Sequence, residues 1–215
     1  MFASLKERFG LGAPKQEAQR WIVLDVETTG LDPASDRLLA IAAIAMHVGR
    51  GFQKPVIVLG DSYEAVIKQE LASDRDNILV HHIGVGAQES GRPANEVLEE
   101  FRDWVGDAPL LAFHAPFDMG MINRAYQDLG LAPLQNDWID IEPLAVVAGG
   151  NAKARALDDW LDFFSLECAV RHQAASDTLV TCELLLRLWS GIQKEASNLR
   201  ELKNLARQAA WIPRT

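Results

Sequence analysis

Cysteine is scarce in this chain. Only Cys168 and Cys182 occur among its 215 residues, without a CxxC spacing, which excludes a disulfide framework and fits a reducing, cytoplasmic compartment. Long apolar runs are missing too: none approaches the roughly 20 residues that a membrane-spanning helix needs. The opening stretch MFASLKERFGLG carries charges where a secretory leader has its apolar segment, so secretion is not expected. Positive charge is also short. Lys and Arg number 21 against 30 Asp and Glu, a net charge of −9 with a pI near 5.0. The sequence therefore lacks the basic footprint of a protein that grips long nucleic acid, and argues against tight, independent binding to a duplex.

Apolar residues make up 48% of the chain and its mean hydropathy is −0.03, enough to bury a sizeable core at this length. Residues 1–20 form a polar, mixed-charge extension interrupted by Gly10, Gly12 and Pro14. Phe2, Leu5 and Phe9 fall at helical spacing there, as suited to capping a core as to meeting a partner. The globular pattern begins at Trp21 with WIVLDVE, a buried strand with carboxylates at its end. The run from Leu38 to Val48 is apolar enough for helix or strand by periodicity alone; its place after one strand and before GRGFQKPVIVLG makes it the second strand of a meander. DSYEAVIKQ supplies the third strand or its continuation. After a polar stretch at Ala72 to Asn77, ANEVLEEFRDWVG reads as an amphipathic helix, PLLAFHA as a short buried strand, and FDMGMINRAYQDLG as a helix ended by Gly130. WIDIEPL reads as a fifth strand. ALDDWLDFF, SDTLVTCELLLRLWSGI and Ala196 to Ala210 are helical. The expected fold is α/β: a mixed five-stranded sheet, three antiparallel strands followed by parallel ones, flanked by helices. It divides into an extension at 1–20, a domain at 21–190, and a C-terminal helical extension at 191–215 packed on or trailing it.

Three short acidic clusters follow one another: DVETTG from Asp25 to Gly30, HAPFD ending at Asp118, and HQAASD from His172 to Asp177. Asp25 and Glu27 are two apart, so on a strand they project from one face at its C-terminal end. Two acids hard against an apolar run are costly unless neutralised or solvated. Thr28, Thr29 and Gly30 then make a turn whose backbone can approach a ligand closely. Asp118 follows a second buried strand at the start of a helix, where an acid is also an ordinary first-turn residue. His172 stands five residues before Asp177, on the loop before a helix that Asp177 opens or lies within; Ser176 and Asp177 could equally cap it. Four carboxylates gathered at one point repel one another unless something positive sits among them. A pair of divalent metal ions meets that need, and oxygen-only ligation suits Mg²⁺ or Mn²⁺. The histidine is then a candidate base.

As an ordered set, these clusters resemble the DEDDh branch of the DnaQ-like 3′–5′ exonucleases, within the ribonuclease H-like fold. The family's DxET motif with a following TG is met by Asp25, Val26, Glu27, Thr28, Thr29 and Gly30; the FD that ends its second motif by Phe117 and Asp118; and HxAxxD by His172, Ala174 and Asp177. The resemblance covers residues 21 to 190. One departure is Ala115, where the family often has Asn after the histidine. The resemblance implies in-line phosphodiester hydrolysis with two ions, Mg²⁺ or Mn²⁺, held by Asp25, Glu27, Asp118 and Asp177, with Asp25 bridging them and His172 taking the proton of the attacking water. It also implies that Glu27 touches the terminal 3′-hydroxyl, that Thr28 lines the terminal nucleotide, and that Leu31 and Phe117 pack against bases or sugar; core packing is the alternative for the last two. The implied substrate is a single-stranded or frayed DNA 3′ end, released as nucleoside monophosphates, with RNA 3′-end trimming as the alternative. Two divalent ions would offset only four of the excess negative charges, so the acidic balance fits an enzyme that handles a strand end, or one recruited by a DNA polymerase or other protein. A non-catalytic nucleic-acid-binding or polymerase-accessory module is disfavoured, because all five catalytic positions are filled.

Several conspicuous residues carry plainer expectations. His81 and His82 are adjacent and cannot both face one site on regular structure, which places them in a loop. His114 receives no catalytic role. Asp158, Asp159 and Asp162 form the solvated face of a helix, and Asp140 is a buried-strand acid expected to give structural support.

Overall fold

The computed structural model describes residues 18–150 and 154–209. Most of the 1–20 extension, including Phe2, Leu5 and Phe9, lies outside the described residues, as does Ala210. The chain forms strands β1 (Gln19–Thr28), β2 (Leu38–Gly49) and β3 (Gln53–Val66), then helices α1 (Arg75–His81), α2 (Val85–Glu89) and α3 (Ala94–Val105). It continues through β4 (Leu110–Ala112), α4 (Ala115–Asp128), β5 (Trp138–Asp140), α5 (Ile141–Gly149), α6 (Leu157–Phe164), α7 (Ala174–Glu195) and α8 (Leu199–Ala209). The sheet order is β3-β2-β1-β4-β5. β1 runs antiparallel to β2, β2 to β3, and β4 and β5 continue the sheet parallel to β1. This is the expected mixed five-stranded α/β sheet with helices on its faces.

Alternation along β1 builds two cores. Ile22, Leu24 and Val26 face one side, where they join Ile41 and Ala43 of β2, Leu98 and Phe101 of α3, and Met121 and Ile122 of α4. Trp21 and Val23 face the other, with Ile44, Met46 and, from α7, Leu184, Leu185, Leu188 and Trp189. A strand covered on both faces has no polar side to show, which is why β2 reads as an almost unbroken apolar run. β3 settles the open reading of the third strand: it is one edge strand of 14 residues, with its register against β2 shifted between Ile44 and Ala45.

Three segments differ from the sequence reading. The strand expected over WIDIEPL ends at Asp140, because the Asp140 carboxylate caps a helix by accepting from the Glu142 amide at 3.1 Å; Pro143 sits in the first turn, where its missing N–H costs nothing. The polar stretch at Ala72 to Asn77 leads into α1, where Asp74 accepts from the Asn77 amide at 2.9 Å. His81 lies at the end of that helix, not in a loop, and is 1% exposed, while His82 leaves it in the left-handed region at φ +61. The pair does face opposite environments. α7 runs unbroken through residue 190 to Glu195, and α8 adds Leu202 and Ala206 to the Trp21 core. No helix among the described residues is long and apolar enough to cross a membrane.

Candidate active site

Asp25 and Glu27 continue the Trp21–Val23 face of β1 beyond the end of its core, toward the start of α7. α7 is fixed there by a buried bond: Thr178 donates its hydroxyl to the Ala42 carbonyl at 3.2 Å, and Ala42 is the β2 residue paired with Asp25. Asp177, one residue earlier and in the first turn of α7, is thereby brought onto the β1 acids. Oxygens of Asp25, Glu27 and Asp177 all lie within 4.8 Å of one another.

The fourth carboxylate arrives from the opposite layer. β4 ends at Ala112, His114 takes φ +64, and α4 starts with Pro116 in its first turn and Asp118 behind it. Asp118 is 3% exposed. Burial holds its carboxyl well above the usual range, and the Asp25 charge adds to this, while its own amide and that of Val26 oppose. It stands beside Asp25 but outside the group of three. The β4–α4 turn is held by Asp140, whose Oδ1 accepts from the His114 amide at 3.0 Å as well as capping α5, so this acid does give the expected structural support. Asp140→Ala is expected to lower stability by about 1–2 kcal/mol, the cost of a lost cap, whereas Asp140→Asn keeps the acceptor and stays near wild type. Denaturant midpoints check this, and equal loss in both variants would contradict it.

The cluster's electrostatics are those of crowded acids. Burial, then the Asp177 charge, pushes the Asp25 carboxyl up to about 8 against the pull of Arg171. Burial, then Asp25 and Asp177, pushes Glu27 up to about 9, against Arg171 and the Ala174 amide. The cation beside them is Arg171, which pairs with Asp177 and also with Asp158 at 2.5 Å. Asp158, expected to be simply solvated, thus anchors that guanidinium. Cys168 donates its thiol to Asp177 at 3.4 Å. Arg171, Asp158 and Cys168 were not singled out for the site by sequence reasoning; the available signal for Arg171 was a lone basic residue against His172 in an acidic motif.

Glu27 Oε1 is buried without a protein partner. A carboxylate oxygen so placed is costly unless a proton or cation meets it. Three convergent carboxylates, one with an orphaned oxygen, fit a hard divalent cation.

The remaining expected residues sit around this centre. The His172 amide donates to Asp177 at 2.9 Å, so Asp177 folds the preceding loop back on itself; the helix cap position belongs to Gln173. The His172 side chain is exposed and lies outside the group formed by Asp25, Glu27 and Asp177. Thr28 is buried and donates its hydroxyl to the Gly30 carbonyl at 2.6 Å. A Cβ at Gly30 would lie 2.5 Å from the Asp36 carboxylate, so any larger residue there would have to displace it. That carboxylate ties the turn by accepting from the Thr29 hydroxyl at 3.0 Å and from the Asp32 amide at 2.9 Å. Leu31 is 86% exposed, so it does not pack in the core. Phe117 lies partly buried against the Ile22 core.

Comparison with known proteins agrees with this geometry. The model of the exonuclease family designated RNase_T matches residues 22–185. A DNA polymerase III of PolC type from Staphylococcus epidermidis is 30% identical over 168 residues, 78% of this chain but 11% of that protein. The chain therefore spans about a tenth of the length of such relatives. E. coli Exonuclease I in complex with a dT13 oligonucleotide has the same fold, with a TM-score of 0.67 at 15% identity over 82% of this chain and 42% of that one. Exonuclease X in complex with 5′-overhanging duplex DNA shares it at a TM-score of 0.64 and 17% identity, covering 86% of this chain and 99% of that one. With a family match over most of its length and acids converging at the end of β1, this chain belongs to the DnaQ-like exonuclease family of the ribonuclease H-like fold.

Proposed function

We propose that this protein is a metal-dependent 3′–5′ exonuclease that hydrolyses the terminal phosphodiester of single-stranded or frayed DNA and releases nucleoside 5′-monophosphates. The observation that carries this reading is the convergence of Asp25, Glu27 and Asp177 within 4.8 Å, with Asp118 buried beside Asp25. Asp25, Glu27 and Asp177, with Asp118 from the far side, would hold two ions, Mg²⁺ or Mn²⁺. Such ions supply Lewis acidity toward the phosphate and a more acidic water at neutral pH.

The chain's own residues supply the rest. His172 takes a proton from the attacking water as its oxygen bonds to phosphorus; the P–O3′ bond breaks in line, and the 3′-oxygen leaves with the penultimate residue and is protonated by solvent. The backbone bond from His172 to Asp177 holds the residue that carries this base next to an ion-binding acid. Glu27 contacts the terminal 3′-hydroxyl, Thr28 lines the terminal nucleotide, and Leu31 and Phe117 meet its base or sugar. Leu31 has the exposure for that role, since a large apolar side chain left open to solvent can pack against a base or sugar. Similarity to PolC-type polymerases and the DNA-bound neighbours favours DNA, and the acidic balance favours recruitment by a polymerase or another cytoplasmic partner.

The test is release of labelled mononucleotide from 3′- and 5′-labelled oligomers of DNA and RNA, side by side, with Mg²⁺ or Mn²⁺. Release of 3′-terminal label as mononucleotide from DNA, faster than from RNA, is expected. No release from either polymer with either ion would sink the enzyme reading; faster release from RNA would move the substrate to RNA 3′ ends.

A further inference from the structure

The segment between β3 and α3 carries a polar network that the acid cluster does not use. His81 is its centre. The Ile83 amide donates to His81 Nδ1 at 2.9 Å, which leaves that nitrogen as an acceptor and places the proton of the neutral ring on Nε2. Nε2 lies 2.8 Å from Asn77 Oδ1 and 3.1 Å from Ser73 Oγ. Because Nε2–H donates, the Asn77 amide has one orientation: Oδ1 toward His81, and Nδ2 toward the Thr28 carbonyl, to which it donates at 3.1 Å. Burial favours the uncharged ring further by depressing the His81 pKa.

Gln88 closes the network. Its Oε1 accepts from the Ser73 amide at 2.8 Å, and its Nε2 donates to Ser73 Oγ at 2.9 Å and to the Ile83 carbonyl at 2.8 Å. His81 and Gln88 are almost fully buried, and a satisfied buried network is rigid because any partial loss strands a polar group. It reaches the strand that carries the acid cluster through the Asn77 bond to Thr28, the residue after Glu27 and the last of β1. There β1 also loses its regular register with β2, which shifts between Glu27 and Thr28. Thr28 still pairs with Leu38 across that shift, and its carbonyl takes the Asn77 amide as a partner from outside the sheet.

We propose that Asn77, oriented by His81, is a positioning residue that fixes the Thr28 peptide and with it the turn from Thr28 to Leu31 that receives the terminal nucleotide. The inference rests on the exonuclease reading and adds a part of the chain, α1, to substrate placement. Neither residue touches the reacting atoms. Losing one neutral hydrogen bond that holds a binding surface weakens binding about five- to tenfold, and it acts on KM more than on kcat, because the acids and His172 are untouched.

Asn77→Ala, Asn77→Asp and His81→Ala are to be compared with wild type in steady-state hydrolysis of a DNA oligomer, with thermal unfolding of each. Asn77→Asp keeps the shape and the acceptor toward His81 but turns a carboxylate oxygen toward the Thr28 carbonyl in place of the donor. A KM raised about five- to tenfold with kcat within about twofold of wild type is expected in all three. His81→Gln, which returns an amide N–H to the position of Nε2–H, is expected to recover most of the loss. An unchanged KM in folded Asn77 variants overturns the inference while leaving the exonuclease reading in place, as does a fall in kcat at unchanged KM. Loss of cooperative unfolding in both Asn77 variants also overturns it, by making Asn77 a residue of the fold. An inactive wild type overturns the inference and the reading together.

Discussion

Replacing Asp25 by Asn is expected to lower kcat about a thousandfold while leaving the protein folded, and in chelator no less stable than wild type. Asp25 is the acid whose charge raises both Glu27 and Asp118. Its carboxyl is raised to about 8 by burial and by Asp177, and Asp118 is raised partly by Asp25 in turn. It contributes repulsion to the folded protein, and the amide of Asn removes that repulsion at the same size. The ion it would hold contributes several kcal/mol of transition-state charge stabilisation, and each 1.36 kcal/mol is tenfold in rate. Loss of roughly three orders of magnitude follows. Asp177→Asn is the informative contrast, because Asp177 holds the His172 amide, the Arg171 guanidinium and the Cys168 thiol. That variant loses an ion pair, and so forfeits activity and some stability together. Single-turnover rates and melting temperatures of the two variants check the difference; an Asp25→Asn protein that retains near-wild-type turnover would remove Asp25 from the site.

The second large effect is a dependence of metal-free stability on pH. Asp25 and Glu27 have ordinary values of 3.8 and 4.5 and are raised to about 8 and about 9 in the folded protein. The folded state therefore binds protons more tightly than the unfolded chain. Stability is unaffected by these groups below about pH 4, declines as pH rises from there toward 9, and is fully reduced above it. Asp118 and Asp140, also raised, act in the same direction. Acids with lowered values, Asp61 and Glu201 among them, act oppositely, but their contribution is lost only as pH falls through the carboxylate range. The two sets thus separate along the pH axis.

In chelator, the Asp25→Asn, Glu27→Gln double variant should match wild type near pH 4.5 and melt higher by pH 8.5. Even a fraction of the shift, on the order of 2 kcal/mol, raises Tm by roughly 4–8 °C at this chain length. Mn²⁺ should stabilise wild type increasingly across the same range, because it displaces protons from the folded site alone, and should leave the double variant nearly unmoved. A wild-type melting curve flat from pH 5 to 9 in chelator would show that these acids are not crowded in solution.

The centre of the site was legible because its chemistry is written locally. A spacing of two puts Asp25 and Glu27 on one face of any strand, and the apolar run before them marks where that strand is buried. Asp177 was legible as a first-turn residue of a long amphipathic helix. What escaped has long-range causes. Arg171 reaches Asp158 across 13 positions, and Asn77 reaches Thr28 across 49; no local period encodes either. α1 has seven residues and exposes Leu79 and Val80, too short and too evenly apolar for a helical stripe to stand out. α5 escaped because Asp140 ends a strand and caps a helix at once, so the apolar run over it read as one strand. The distinction between the three grouped acids and Asp118 also needed the fold, since it depends on which layer each helix occupies.

The alternation that sends Trp21, Val23, Asp25 and Glu27 to one side of β1 ties chemistry to packing through a single ruler. A one-residue slip of this strand against β2 would move Trp21 out of the core it shares with Trp189 and turn both acids toward the Ile22 side together. Substitution and insertion are accordingly not equivalent here. Side chains inside either core can be exchanged for others of like volume, but the count of residues from Trp21 to Glu27 is fixed by two demands at once.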